Sequence, residues 1–318
     1  MSMQAPAPLV IDASGVGLHT IAKTSRLDAR RVLAFAAGVL ERSEAYWDDT
    51  REGGLIVHPG IAFSLQLQSQ SRILSTPVPA AQMSADAWVG AVHAETDLQI
   101  YAPFEVDQVI TTQGRLIARK QTRAGVFNVE RYRMVESSGR LLAEMDYNLM
   151  FRGATLVGGD VALEPMPTRR RPPEPLRPRK IREVIIPREA LHHYTACADI
   201  YAPIHTERRV AAKAGFNDII LHGSATKSIA LSAVVQTFFG GDARRVRRLY
   251  GQLRAVVPAE TSIIVEAVAT ENDADGKLSV FFRVLNHEGA EAISNGLVAG
   301  WTPGAQPADD VSGKRLQA

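Results

Sequence analysis

The sequence contains a single cysteine, Cys197, and lacks a long uninterrupted run of apolar residues. One thiol excludes an intramolecular disulfide framework and a multi-cysteine zinc site. A membrane-spanning helix requires roughly 18 or more consecutive apolar residues, and no stretch approaches that length. The first residues, MSMQAPAPLVIDASG, lack a basic segment followed by an apolar one, so no secretory signal is expected. We therefore predict a cytoplasmic protein that does not enter the membrane.

The charge balance is also unremarkable, with a formal net charge of +2 at pH 7. Such a small excess gives no reason to expect nucleic acid as a partner. The sequence has no GxxxxGK[ST] or GxGxxG loop after a strand, and no His-x-x-x-His helix for zinc. We predict neither a nucleotide-phosphate loop nor a metal site.

The one concentrated basic stretch is TRRRPPEPLRPRK, residues 168–180. Six prolines between Pro165 and Pro178 prevent a helix or a central strand there. The stretch predicts an extended, solvated linker, and a cationic strap for the phosphates of an anionic ligand is the alternative. We place a first domain at 1–160, the linker at 161–182 and a second domain at 183–318.

The two halves of this 318-residue chain follow one plan. Residues 53–68, GGLIVHPGIAFSLQLQ, correspond to residues 218–235, DIILHGSATKSIALSAVV. Each segment ends in a helix rich in small and apolar residues, which predicts burial on several faces. Four strand-like segments with alternating polarity follow each helix. A helix followed by an antiparallel meander, occurring twice, predicts an α+β fold in which a curved sheet wraps a helix.

Short motifs in both halves are similar to those of one known family. In the second half these motifs are Tyr194, Pro203-Ile204-His205, Ala214-Gly215-Phe216 and Ile220-Leu221-His222-Gly223. In the first half they are Tyr46-Trp47-Asp48-Asp49, residues 53–59 (GGLIVHP) and Phe151-Arg152-Gly153. With these motifs the chain resembles the MaoC-like acyl dehydratases, the (R)-specific enoyl-CoA hydratase family, over most of its length. The resemblance implies a double hot-dog fold, with two antiparallel sheets each wrapped around a central helix. It also implies that an acyl thioester lies between the halves.

The hydration motif of this family runs Asp, any residue, Asn, Pro, an aliphatic residue and His. His205 matches the final position, and Pro203 precedes it as expected. Ile200 stands where the family has Asp, and Ala202 where it has Asn, whereas Asp199 lies one residue earlier. The resemblance therefore implies that His205 is catalytic, and an irregular backbone can bring Asp199 into the role of the carboxylate. Other carboxylates left open for that role are Glu207, Asp218, Glu41 and Asp48.

Gly223 stands at the predicted start of a buried helix, where a backbone N–H without a helical partner meets the positive end of the helix dipole. In the resembling family this amide binds the thioester carbonyl oxygen and stabilises the enolate. Ser224 offers a second donor. Tyr201 either holds water through its hydroxyl or serves in packing, and His222 either contacts the acyl group or is structural, packed between the two layers of strands. In the first half Pro59 has no N–H to offer. That half is predicted to be a degenerate copy in which Tyr46 and Trp47 shape the acyl pocket.

The resemblance implies a hydro-lyase that adds water reversibly to a 2-enoyl thioester and gives a 3-hydroxyacyl thioester. Two alternatives remain open: a dehydratase whose acyl chain is bound to a carrier protein, and a non-catalytic thioester-binding protein with a decayed motif. No cofactor is expected, because the CoA or pantetheine arm belongs to the substrate. The expected partner is an acyl-CoA or acyl-carrier thioester, and both a monomer and a homodimer are compatible with a fused pair of hot dogs.

Overall fold

The computed structural model describes residues 9–70, 91–166, 168–274 and 276–305. The start of the N-terminal segment and the end of the second predicted domain therefore lie outside the described residues. Five α-helices occur in the described part of the chain: α1 (Ala29–Gly38), α2 (Ile61–Gln70), α3 (Arg188–Cys197), α4 (Arg208–Lys213) and α5 (Gly223–Phe238). Within these residues no helix is both long and apolar enough to cross a membrane.

The strands of the first half and the linker region are β1 (Val10–Asp12), β2 (Lys23–Arg26), β3 (Ala91–Ile100), β4 (Val109–Thr122), β5 (Gly125–Glu136), β6 (Leu141–Arg152), β7 (Thr155–Val157) and β8 (Val161–Ala162). Those of the second half are β9 (Arg179–Ile186), β10 (Val246–Leu253), β11 (Thr261–Asn272), β12 (Lys277–Leu285) and β13 (Glu291–Trp301). Short 3-10 turns at Glu44–Tyr46 and Pro203–His205 precede the central helices α2 and α5. The predicted helix-then-four-strands order is present in both halves.

The sheet runs through both halves without a break. The strand order is β2-β4-β5-β6-β3-β10-β13-β12-β11-β9, and β8 adds to β4. The halves join where β3 pairs antiparallel with β10, with Leu98 opposite Leu249 and Thr96 opposite Gly251. The predicted α+β double hot-dog fold is confirmed, and this pairing fuses the two predicted sheets into one.

Both central helices are buried, as their composition predicts. Every residue of α5 from Ser224 to Val235 is buried, and so are Ile61–Gln66 of α2. The main core lies between these helices and the concave face of the sheet, and it includes residues of both halves, such as Phe63 and Leu231. Because the core is continuous across the halves, each half stabilises the other.

The described residues between 163 and 178 are extended and largely exposed, as predicted for the linker, whereas its predicted ends, 161–162 and 179–182, belong to β8 and β9. Two of its arginines also bind to the sheet. Arg169 donates to the buried Glu95 carboxylate of β3 at 2.6 Å. Arg170 donates to Ser279 Oγ at 2.6 Å, pairs with Glu271 and stacks over the Phe281 ring. The prediction of a fully solvated stretch is therefore wrong for these two side chains, because each finds an acceptor on the outer face of the sheet.

Candidate active site

The N-terminus of α5 supplies a backbone amide at Gly223. His222 is the N-cap residue, with φ −56° and ψ 135°, and the 16-residue helix behind it has no acidic residue in its first turn. Among the described residues no backbone carbonyl accepts from the Gly223 N–H. A Cβ at position 223 would lie 2.3 Å from Leu253 Cδ1, so a larger residue here would have to displace the Leu253 side chain. The amide is thus available to an external acceptor, as the resemblance implies.

His205 ends the 3-10 turn Pro203–His205 and lies beside this helix end. Its Nδ1 is 2.7 Å from the Ile220 carbonyl oxygen, which can only accept, so Nδ1 carries the proton and Nε2 has a free lone pair. Burial lowers the pKa of the imidazole to about 4, and the Ile220 carbonyl opposes this shift. The ring is partly buried and neutral at pH 7, which is the state that a general base requires.

His222 connects His205 to the helix. The two imidazole rings are stacked, with centroids 3.6 Å apart and an interplanar angle of 27°. His222 also contacts the Tyr194 ring, whose hydroxyl is 2.9 Å from Ser224 Oγ. Burial, and then the neighbouring His205, hold the pKa of His222 well below its usual value. His205, His222, Gly223 and Ser224 are therefore brought together, and the Ser224 hydroxyl is shared with Tyr194.

Asp199 is placed differently from the sequence hypothesis. It is exposed, with φ +54° in the left-handed region that Asp tolerates. Its Oδ2 accepts from Gln68 Nε2 of α2 at 2.8 Å, and the Arg31 guanidinium lies close enough to interact with its charge. Ile200, at the position of the family's Asp, is a buried apolar residue. Among the described residues, no carboxylate contributes to the pKa of His205.

The other polar candidates have partners elsewhere in the described structure. Tyr201 is 68% exposed and its hydroxyl bonds to Glu207, so its role in holding water stays a prediction. Asp218 is paired with Arg188 and Arg208. The remaining carboxylates, Glu41 and Asp48, belong to the first half, where Asp48 accepts from Thr50 and Glu41 lies near His58. None of them replaces the displaced Asp.

The first half repeats the backbone of this site. Leu40, with φ +56°, lies two residues after α1, as Asp199 lies two residues after α3. The 3-10 turn Pro203–His205 begins 159 positions after its counterpart, Glu44–Tyr46, and the same offset relates Asp199 to Leu40. Tyr46 therefore occupies the place of His205. It is fully buried against His58, and Trp47 is only partly buried and packs on the core.

The amide at the start of α2 is already used. Gly60 N–H donates to His58 Nδ1 at 3.0 Å, so His58 Nε2 carries the proton and donates to Ser232 Oγ at 3.0 Å. Pro59 has no N–H at all. With a tyrosine in place of the imidazole and the Gly60 amide already bonded, the first half lacks counterparts of both His205 and the Gly223 amide, as expected of a degenerate copy.

A cavity of about 480 Å³ lies at this first-half counterpart. Its walls include Ser43–Ala45, Ile56, the segment Gly240–Asp242 after α5, and Arg244 and Arg245. Arg244 is paired with Asp242, so its charge is largely balanced. Tyr46 and Trp47 do not line this cavity, which opens beside the 3-10 turn.

Sequence reasoning missed three polar residues near the site: Lys227 on α5, and His93 and Thr96 on β3. Lys227 is the only charged residue in the sequence GSATKSIALSAVVQTF of α5, and it is 0% exposed. A lone lysine in a helix predicted to be buried on all sides was the available signal, because buried lysine is rare unless it is paired.

The buried histidines predict loss of stability in acid. Burial lowers the pKa of His58 and of His205 to about 4, whereas an unfolded histidine titrates near about 6.5. The unfolded state therefore binds more protons between pH 6.5 and 4, and the free energy of unfolding falls as pH falls through that window, by about 3 kcal/mol per histidine. Calorimetric melts from pH 7 to 4.5 measure this slope.

His58→Asn should reduce the slope by nearly one proton, because Asn does not titrate. The matched control is His192→Asn, since His192 is exposed on α3. An unchanged slope in His58→Asn would contradict the assignment of a neutral buried imidazole.

Comparison with known proteins supports the same family. Residues 167–288 match the family described as MaoC like domain. Two curated relatives are an enoyl-CoA hydratase 2, peroxisomal, of Arabidopsis thaliana, 27% identical over 183 residues, and a peroxisomal multifunctional enzyme type 2 of Drosophila melanogaster, 25% identical over 198 residues. The matches cover 54% and 57% of this chain but only 58% and 29% of those relatives. The cytoplasmic location stays a prediction.

Solved structures agree over a larger share of the chain. A MaoC-like dehydratase from Phytophthora capsici has a TM-score of 0.77 at 18% identity, covering 93% of this chain and 99% of that one. A Mycobacterium tuberculosis protein described as having a double hot-dog fold has a TM-score of 0.61 at 15% identity and covers 90% of this chain and 96% of that one. The chain therefore has the double hot-dog fold, and residues 167–288 within it match the MaoC like domain.

Proposed function

We propose that this protein reversibly hydrates a 2-enoyl thioester to the 3-hydroxyacyl thioester. The observation that carries the proposal is the convergence of two groups at the start of α5. The His205 ring, with its free Nε2, stacks on His222, and the Gly223 amide is the next backbone donor. A base and an oxyanion donor within one small site are what addition of water to an enoyl thioester needs.

In the hydration direction, His205 Nε2 takes a proton from water as the water oxygen bonds to C3 of the acyl chain. The electron pair of the C2–C3 double bond moves toward the thioester carbonyl, whose oxygen gains negative charge. The Gly223 N–H, with the α5 dipole behind it, hydrogen-bonds that oxygen. His205 then returns the proton to C2, so one water is added and the enzyme is unchanged. The scheme uses no cofactor beyond the thioester's own CoA or pantetheine arm.

A binding protein without turnover is the second candidate. It is favoured by Ile200 at the acid position and by the engagement of Asp199 with Gln68. Under this alternative the Gly223 amide still holds the thioester carbonyl, but the lone imidazole does not activate water. A substrate bound to a carrier protein would use the same site for its acyl group. It would differ from an acyl-CoA only in what is attached to the pantetheine arm outside the site.

The test measures binding and turnover separately on the wild-type chain. Calorimetry with a saturated short acyl-CoA reports binding, and loss of enoyl absorbance with the matching 2-enoyl-CoA reports hydration. Turnover above the buffer rate supports the hydro-lyase. Binding without turnover supports the second candidate, and absence of both would refute both. A pantetheine thioester of the same acyl group then tests whether the carrier arm suffices.

Asp199→Asn should retain activity to within about threefold. The Asp199 side chain is exposed and bonded to Gln68, so its carboxylate does not reach the imidazole in this structure. Asn can still occupy the left-handed backbone and bond to Gln68. Steady-state kinetics on a 2-enoyl-CoA measure the effect. A loss of a hundredfold or more would mean that Asp199 turns toward His205 when substrate binds.

A further inference from the structure

Lys227 lies on the same face of α5 as Gly223, one turn further along. Four residues of helix advance about 6 Å, so the Lys227 Cα lies further along the α5 axis than the Gly223 Cα by about the length of a four- to five-carbon chain. Its side chain is 0% exposed and passes Gly251 of β10, where an added Cβ would lie 3.7 Å from Lys227 Cε. The lysine therefore reaches from the helix toward the seam between β10 and β3.

The ammonium group ends in a cluster of hydroxyl and imidazole groups. Lys227 Nζ donates to Thr96 Oγ1 at 3.0 Å, and His93 Nε2 is 2.6 Å from the same oxygen. The His93 ring stacks on Tyr147 with centroids 4.0 Å apart. We call Lys227, Thr96 and His93 the lysine cluster.

No carboxylate pairs with Lys227 among the described residues. The nearest acidic side chains, Glu95 and Asp97, flank Thr96 on β3 and so point to the opposite face of the sheet. There Asp97 is bound by Arg248, and Glu95 is bound by Arg169 and Gln252. Burial lowers the pKa of Lys227 to about 7, and Glu95 and Asp97 oppose that shift only partly. The cluster is thus a buried basic site that has no carboxylate partner among the described residues.

The lysine cluster adjoins the candidate active site through tyrosines. Tyr147, which stacks on His93, is close enough to Tyr194 for the two phenols to interact electrostatically. Tyr194 in turn contacts His222 and bonds to Ser224 at the start of α5. The lysine cluster and the start of α5 are therefore linked through Tyr147 and Tyr194, and Lys227 lies on the helix face of Gly223.

We propose that the lysine cluster binds a carboxylate at the far end of a short acyl chain, so that the preferred substrate class is a thioester of a four- to five-carbon dicarboxylic acid. The inference rests on the proposed thioester site at Gly223. Lys227 donates to the carboxylate, and the Thr96 hydroxyl and His93 supply further hydrogen bonds. A plain alkyl end would instead leave the buried ammonium with the Thr96 hydroxyl as its acceptor and no neutralising charge, which is costly.

Calorimetry with two saturated probes tests this on the full chain. Glutaryl-CoA and pentanoyl-CoA have the same five acyl carbons and differ in a carboxylate against a methyl end. The wild type should bind glutaryl-CoA at least about tenfold more tightly. At pH 8 this binding should take up protons, because the carboxylate raises the proton affinity of Lys227; titrations in two buffers with different ionisation heats measure the uptake.

Lys227→Met should remove both the preference and the proton uptake, and Thr96→Val should weaken the preference. Lys213→Met, on the exposed end of α4, should change neither. Equal affinities for the two probes in the wild type, or a preference that survives in Lys227→Met, would overturn the inference and leave the proposed function standing. If neither probe binds, the thioester site itself is refuted, and the inference with it.

Discussion

His205→Ala and His205→Asn should each reduce kcat for enoyl-CoA hydration by about 10²–10⁴-fold, while binding of a saturated acyl-CoA stays within about threefold. A positioned acid–base group contributes roughly this factor, and the proposed scheme gives His205 both proton transfers. Binding should persist because the Gly223 amide holds the thioester carbonyl independently of the imidazole. Single-turnover and steady-state absorbance assays measure kcat, and calorimetry measures the affinity.

The His205→Asn variant distinguishes the role of His205 as a base from its role in holding the backbone in place. The Asn amide nitrogen can take the place of Nδ1 and donate to the Ile220 carbonyl, but it provides no base in place of Nε2. The Asn variant should therefore keep the melting temperature of the wild type more closely than the Ala variant, at equally low activity. In the wild type, kcat/KM should stay flat from neutral pH down to about pH 5 and fall near pH 4, where the imidazole becomes protonated. Substantial activity in His205→Asn would transfer the base role to another group.

Lys227→Met should stabilise the protein at pH 7 by about 3–5 kcal/mol. The folded-state pKa of Lys227 is about 7, whereas an unfolded lysine titrates near about 10.4. Below pH 7 both states are protonated, so the folded protein bears the full cost of a buried ammonium, and at pH 7 it bears most of that cost. Between pH 7 and 10.4 the unfolded state binds the extra proton, and the wild type gains stability as pH rises. Methionine fills a similar volume without a charge.

Denaturant melts of both proteins from pH 6.5 to 9.5 test this. The difference between variant and wild type should be largest at the lower end and shrink by about 1.4 kcal/mol per pH unit above 7. Other titrating groups cancel in that difference. Lys213→Met should stay within about 0.5 kcal/mol of wild type throughout, since it is exposed. A destabilised Lys227→Met would mean that the Thr96 bond outweighs the burial of the charge.

The resemblance carried by the AGFxxxILHG segment and the Pro203–His205 turn allowed the fold, the central helices and the helix-end amide to be predicted. The placement of Asp199 could not be predicted in that way. Its partner Gln68 is 131 positions earlier in the chain, and its direction depends on a left-handed backbone angle that the sequence does not reveal. The same holds for Arg169, whose acceptor Glu95 lies on a strand 74 positions away.

Two further features could not be predicted from the sequence, because they depend on where residues distant in the chain lie relative to one another in the fold. Tyr46 and His205 occupy matching turns, but the residues around them share little sequence, so the substitution of one ring for the other became visible only in the backbone. The sequence alone shows that Lys227 lies in a helix predicted to be buried. It does not show that Lys227 lacks a carboxylate partner, because that depends on β3, which directs Glu95 and Asp97 to the opposite face of the sheet.

The antiparallel pairing of β3 with β10 determines how the chain can be divided. Either half expressed alone would expose one of these strands as a long unpaired edge. The first half would then lack the Arg248 partner of Asp97, and the second half would lack the Asp97 partner of Arg248. Open edges of this kind promote aggregation. We therefore expect severed halves to be insoluble apart and to regain solubility when refolded together. A second copy of the intact chain cannot attach at this seam, because each strand there already has a neighbour on both sides.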